Sequence, residues 1–183
     1  MPDLESELIA RVCDGDMGAF EEIYRQYAGM VYRLALRMMT RIEDAEEVTQ
    51  QVFVGVHRHL KTFNRKSSLK TWIYRITVNS SLNALKTRKK HIEVAWEEGF
   101  DPQDTHDGVR ELMDREASKQ DVVLMLEGLN PDQRACLLLR VQEGLSYEEI
   151  GRALNVNVNT VRSRLKRARE TLLSVRKEKE VAV

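Results

Sequence analysis

Two stretches of the 183-residue chain carry side chains whose types and spacing suit contact with a polyanion. The first begins with FNRKSS at residues 63–68 and continues as LKTWIYRITVNSSLNALKTRKK. At about 100° per helical residue, Trp72, Arg75, Ile76, Asn79, Asn83 and Lys86 share a wedge about 100° wide, while Tyr74, Val78, Leu82 and Leu85 form an apolar stripe elsewhere. An aromatic ring among amides and cations suits unstacked nucleotides: rings stack on bases, amides bond their edges, and cations follow the backbone. The same tryptophan, at the edge of a polar wedge, also fits a packing role as a cap over a neighbouring helix. Composition alone leaves both readings open.

The second stretch is LSYEEIGRALNVNVNTVRSRLKRARETLL. A short helix, a turn around Asn155 and Asn157, and a longer helix opened by Asn159 as its expected cap give helix-turn-helix spacing. Val161, Leu165, Ala168 and Leu172 form the expected buried stripe of the longer helix. Its other side presents Ser163, Lys166, Arg167 and Glu170, flanked by Thr160, Arg162, Arg164 and Arg169, with no acid between Glu149 and Glu170. A major groove admits such a helix, with Arg or Lys reading guanine edges and neighbouring side chains holding phosphates. The bland alternative is a solvated basic face. Five bases within residues 162–169, immediately after the turn, argue against it.

Between the extremes of the chain, DAEEVTQQVFVGVHRHL buries Val48, Val52, Val56 and Leu60 if helical, leaving Glu47, Gln50, Gln51, Val54 and Arg58 outward. Val54, ringed by amides and charges, fits a protein-binding patch, although a single exposed valine is common on any surface. His57 and His59 diverge by about 200° on a helix and cannot share one metal ion. A nucleic-acid hydrolase would need a carboxylate or histidine cluster, and none is evident; Glu148 and Glu149 read as first-turn charge after the capping candidate Ser146. No metal and no cofactor are expected.

Only helices must position these groups. Prolines occur at Pro2, Pro102 and Pro131 alone, and apolar residues recur in steps of three and four, which predicts an all-α chain with helices near 4–14, 18–40, 44–60, 69–89, 108–127, 131–143, 146–154 and 158–175. HIEVAWEEGFDPQDTHD lacks that periodicity and reads as linker, so two small helical domains joined by a flexible linker are expected. No apolar run approaches the roughly 20 residues of a membrane span, and the amphipathic start does not read as a signal peptide, so a cytoplasmic protein without membrane insertion is expected. Cys13 and Cys136 are far apart and read as small apolar residues rather than a disulfide or metal pair. Lys+Arg and Asp+Glu both total 29, but the charges are segregated. Residues 1–60 hold 6 bases and 11 acids, 61–90 hold 9 bases and no acid, 91–128 hold 3 and 11, and 129–183 hold 11 and 7. Two basic segments flank an acidic connector, the pattern of a chain that meets polyanionic phosphates at two places.

In joint order these motifs resemble the extracytoplasmic-function (ECF) sigma factors, the compact group of the sigma-seventy family with only regions two and four. DAEEVTQQVF is similar to the family's polymerase-binding segment, TWIYRITVNSSLNALKTRKK to its promoter-melting helix, and LNPDQRACLLLRVQEGLSYEEIGRALNVNVNTVRSRLKRARETL to region four. The resemblance implies region two at 1–90, an acidic linker at 91–125 and region four at 126–183. It implies that Glu47, Gln50, Gln51 and Val54, with Arg58 on the same face, bind core RNA polymerase. Phe63, Asn64, Arg65, Lys66 and Ser67, with Asn79, would form the pocket for a base flipped from the minus-ten element, and Trp72, Arg75, Asn83, Lys86 and Arg88 would guide the opened strand. Arg162, Ser163, Lys166 and Arg167 would read the minus-thirty-five element, with Thr160 and Arg164 on its backbone. An anti-sigma factor is implied as a further partner. A stand-alone helix-turn-helix regulator, binding duplex DNA tightly without polymerase, is the competing reading.

The chain departs from the family's usual pattern at four positions. Arg65 and Lys66 stand where a glycine and an acid are common, so the preferred minus-ten base does not carry over. Gln51 replaces a usual acid and Thr49 a usual apolar residue. The acidic linker, including Glu97, Glu98 and Asp101, resembles a connector that enters the RNA exit path, where its charge would mimic RNA.

Overall fold

Local chemistry sets most helix boundaries. Asp16 caps the second helix by accepting from the Ala19 amide at 3.1 Å, and the Ala19 amide and Arg11 together hold its carboxyl below its usual range. Asn130 and Ser146 each open a helix with a reciprocal capping box, closed by Gln133 and Glu149. The computed structural model describes residues 4–97 and 126–181. Among them are α1 (Leu4–Cys13), α2 (Met17–Met39), α3 (Ile42–His59), a 3-10 turn (Leu60–Thr62), α4 (Leu69–Glu97), α5 (Pro131–Glu143), α6 (Tyr147–Leu154) and α7 (Val158–Val181). All regular structure among the described residues is helical, as the sequence pattern predicts. No described helix is long and apolar enough to cross a membrane.

Two sequence-based boundaries are corrected. The segment expected to begin the linker at residue 91 instead continues α4 to Glu97, because no glycine or proline follows Leu69 until Gly99 and helix propagation costs little where nothing interrupts it. Asn157, not Asn159, caps α7: its Oδ1 accepts from the Asn159 amide at 2.8 Å. The remainder of the linker, 98–125, with most of the helix expected over 108–127, lies outside the described residues.

The first core belongs to α1–α4. Ile9, Ile23, Val31, Val48, Val52, Val56, Leu60, Leu69 and Ile73 are buried together, confirming the inward stripe read for α3. The second core is composite. Leu139, Ile150, Val161 and Ala168 of the C-terminal helices are buried against Leu34 and Met38 of α2 and Tyr74 and Val78 of α4. The apolar stripe of α4 therefore faces the C-terminal helices, while Leu69 and Ile73, with half-buried Ile76, pack into the first core. Ile76, which shares the polar wedge by angular position, instead sits beside Gly55 in the α3–α4 contact. Thr77 and Ser81 are buried between these faces and satisfy their hydroxyls by donating to the carbonyls of Ile73 and Thr77.

Arg134 of α5 bridges the two modules. Its guanidinium, on a residue only 6% exposed, donates to the carbonyls of Leu126 at 2.9 Å and Met38 at 2.6 Å, with a longer bond to Leu129. Nearby, Lys70 of α4 pairs with Glu143 of α5 at 3.2 Å and lies over the Tyr74 ring. Burial, and then Glu143, raise the Tyr74 phenol well above its ordinary range. Cys136 is fully buried in this core, where burial pushes its thiol up; Cys13 is half-buried.

Candidate polymerase and nucleic-acid interfaces

The outward face of α3 is placed as its spacing predicts. Glu47, Gln50, Gln51 and Arg58 are exposed, and Val54 is 51% exposed. Gln51 Nε2 donates to Glu47 Oε1 at 3.0 Å, one helical turn away, so the polar rim of the patch is ordered. Tyr24 of α2, 46% exposed and tilted on Phe53 at 4.7 Å, enlarges the apolar surface nearby. Its distance from α3 in the sequence offered no signal for this. His57 packs edge-on against Phe20 at 5.0 Å, a structural use for that ring.

At the end of α3 the 3-10 turn leads into the loop 63–68. Phe63 lies at 5.2 Å from Trp72, and both rings are half-buried against the first core. The packing reading of Trp72 thus holds at least for one side of the ring. Asn64 Oδ1 accepts from the Lys66 amide at 3.2 Å, and Ser68 Oγ accepts from the Thr71 amide at 3.1 Å to open α4. Arg65 adopts a φ of 55°, the left-handed region where a side chain costs about 1–2 kcal/mol. Arg65 Nη1 donates to Ser6 Oγ of α1 at 3.2 Å. Asn64, Arg65 and Lys66 are exposed and Ser67 is half-buried.

Along α4, Asn79, Asn83 and Lys86 are exposed and Arg75 is half-buried. The Arg75 Nε is shielded from solvent and meets no protein acceptor. Arg88 pairs with Asp44 of α3 at 3.2 Å. This pair borders a cleft of about 470 Å³ that also includes Glu47, Gln51 and Asn83, so the expected polymerase face and the expected DNA face meet along one groove. Sequence separation of 44 residues concealed the Asp44 contact.

In the C-terminal module the turn between α6 and α7 depends on close backbone approach. Asn155 takes a φ of 53°, the Val156 amide donates to Gly151 O at 2.9 Å, and a Cβ at Gly151 would sit 2.9 Å from Val156 O. Val161 and Ala168 are fully buried, with Leu165 and Leu172 packed beside them, as predicted. Arg162, Ser163, Lys166 and Arg167 are exposed and Thr160 is half-buried. Arg162 donates to Asn159 Oδ1 at 3.0 Å, and Ser163 Oγ donates to Thr160 O at 2.9 Å. Arg164 turns back to α5, pairing with Asp132 at 3.2 Å with its side chain 21% exposed, so it is a shared cation rather than a free one.

The chain matches the family description "Sigma-70 region 2" over residues 23–91 and "Sigma-70, region 4" over 119–172. It is 33% identical to the ECF RNA polymerase sigma-E factor of Escherichia coli over 173 residues, covering 90% of each chain. The ECF RNA polymerase sigma factor SigE of Mycolicibacterium smegmatis is 36% identical over 157 residues, which are 85% of this chain and 61% of that relative. In fold, the chain is similar to the sigma factor RpoE solved with the anti-sigma factor NepR from Bartonella quintana, with a TM-score of 0.68, 21% identity, and coverage of 86% of this chain and 96% of that one. A TM-score of 0.65, again with 21% identity, relates it to CnrH solved with the cytosolic domain of CnrY, over 96% of this chain and 99% of that one. With both regions matched in order on two helical modules that present ordered cationic faces, the chain belongs to the ECF RNA polymerase sigma factors of the sigma-70 family.

Proposed function

We propose that this sigma factor binds core RNA polymerase through Glu47, Gln50, Gln51, Val54 and Arg58 on α3, and reads a promoter at two places. Residues 1–90 serve polymerase and the minus-ten element, 126–183 serve the minus-thirty-five element, and 91–125 join them. Phe63–Ser67 with Asn79 hold a flipped minus-ten base, while Trp72, Arg75, Asn83, Lys86 and Arg88 follow the opened strand. Arg162, Ser163, Lys166 and Arg167 face base edges in the major groove, with Thr160 and Arg164 on phosphates. The observation that carries this reading is the exposure of both cation-bearing faces, Asn79, Asn83 and Lys86 on α4 and Arg162, Lys166 and Arg167 on α7, beside helices whose other faces are buried.

Unpairing and flipping a base costs a few kcal/mol, so the protein alone does not melt DNA and polymerase contacts must offset that cost. Its own role is recognition; bond formation belongs to polymerase. It works in the cytoplasm, where those partners are, and is held by an anti-sigma factor, a partner class supported by the structural neighbour solved with the anti-sigma factor NepR.

Run-off transcription with core polymerase on a fragmented genomic library tests the reading and returns the promoter motif. Arg167→Ala is expected to lose about 1–3 kcal/mol of discrimination at one minus-thirty-five position, whereas Arg164→Ala weakens all sequences similarly. Equal losses on every promoter for both variants would contradict the assignment of α7. Tight specific footprints without polymerase would favour a stand-alone regulator instead.

A further inference from the structure

The loop 63–68 is held mostly by itself and by its neighbours in sequence: the Asn64 turn, the Ser68 cap, the Phe63 amide bonded to Leu60 O, and the Phe63–Trp72 ring contact. Two bonds tie it to a distant element, and both land on consecutive residues of α1. Ser6 Oγ accepts from Arg65 Nη1 at 3.2 Å, across 59 residues of sequence. Glu5 Oε1 accepts from the Leu69 amide at 3.1 Å, across 64 residues. The Leu69 amide is one of the first-turn donors of α4 that no helix carbonyl can satisfy, and a carboxylate there also meets the positive end of the helix.

The platform carrying these two side chains is itself fixed. Ile9 and Val12 of α1 are buried in the first core, and Arg11 pairs with Asp16 and Glu22. The end of α1 that bears Glu5 borders a cleft of about 460 Å³ shared with Tyr27 and Leu69. Arg65 holds a left-handed backbone that its side chain disfavours, and such conformations persist only where surrounding contacts over-determine them. Among the described residues, the bond to Ser6 is the one side-chain hydrogen bond that ties Arg65 to a residue distant in sequence.

We propose that Glu5 and Ser6 are positioning residues for minus-ten recognition: from α1 they hold the middle of the loop at Arg65 and its junction with α4 at Leu69, and through it decide which base the loop accepts. The inference rests on the reading of that loop as the minus-ten pocket. It predicts that loosening α1 flattens base preference without altering polymerase capture, since α3 presents the polymerase face independently of these bonds.

The test uses the full chain assembled with core polymerase and measures, by fluorescence anisotropy, the affinity for dye-labelled single-stranded oligonucleotides that carry each base in turn at every minus-ten position. Glu5→Ala and Ser6→Ala should each reduce the ratio between best and worst base about five-fold, the effect of losing one ordering hydrogen bond. Glu5→Gln keeps an acceptor oxygen and should retain most of the ratio. Polymerase affinity, measured separately, should stay within about two-fold of the parent for all three. An unchanged base ratio in both alanine variants would overturn the positioning role, as would an equal loss in Glu5→Gln and Glu5→Ala with Ser6→Ala unaffected. If the parent holoenzyme itself shows no base preference, the assignment of the loop fails first, and that outcome is read before any variant is compared.

Discussion

The two cores of the molecule are built on different terms. The first is closed within α1–α4, where consecutive helices bury Ile23, Val31, Val52 and Ile73 against one another. The second begins with α5–α7 and is completed by side chains from the other module, Leu34, Met38, Tyr74 and Val78. A helix-turn-helix unit of this size has little apolar area of its own, and small cores are marginal unless another surface covers them. In this state α2 and α4 provide that surface. The same α4 thus presents one side to the first core, one to the second, and a third, polar side to solvent, which is why its buried positions show no single clean stripe.

Substitutions that act across the boundary break or sharpen this contrast. The largest effect is expected from Met38→Ala, which removes a fully buried side chain of α2 from the second core and should cost about 2–5 kcal/mol. Hydrogen exchange should rise in α5–α7 although the change lies in α2; Val31→Ala, confined to the first core, should raise exchange chiefly in α1–α4. Unaltered exchange in α5–α7 for Met38→Ala would mean that the second core does not depend on its borrowed residues.

Next in size is Arg134→Met, which keeps the apolar stem but leaves the carbonyls of Leu126 and Met38 without their charged donor, at a cost of about 1.5–3 kcal/mol in chemical unfolding. If the carbonyls find water instead, the loss will be smaller and the contact between modules looser, which small-angle scattering would register as a larger radius of gyration.

The smallest effect is local. Ser146→Ala removes the α6 cap and should cost about 1 kcal/mol, read as an earlier unfolding of the C-terminal helices. Its partner Glu149 has a carboxyl held below its ordinary 4.5 by the Ser146 amide and hydroxyl. A carboxyl with a depressed folded value contributes fully above the ordinary range and loses that contribution as pH falls through the folded value. Acidification below about 4.5 should therefore erode the C-terminal module, and Glu149→Gln should flatten that part of the pH profile.

Much of this architecture was legible in the residues. Val48, Val52, Val56 and Leu60, and likewise Val161, Leu165, Ala168 and Leu172, recur at helical spacing because a face that packs must repeat every three or four residues. Ser146 with Glu149 was readable as a helix start because a cap works through bonds three residues apart. Other local details were harder: Asn157 and Asn159 are both acceptable caps, and only the path of the turn selects Asn157.

Of the candidate sites, the faces were legible and the ties were not. Val54 on its polar surround and the cations of α7 followed from angle alone. Arg88 with Asp44, Arg164 with Asp132, and Arg65 with Ser6 join residues of different elements, and no spacing encodes those meetings.

By itself, then, the order of amino acids determined helix content, the cap at Ser146, which faces turn inward, and the family. Tertiary structure alone decided what each inward face meets: that the Tyr74 and Val78 side of α4 covers the C-terminal helices, and that α1 reaches the loop before α4. The physical reason is range. Backbone hydrogen bonds and caps act over three or four residues, whereas apolar burial requires only some complementary surface and leaves its choice to the packing of the whole chain.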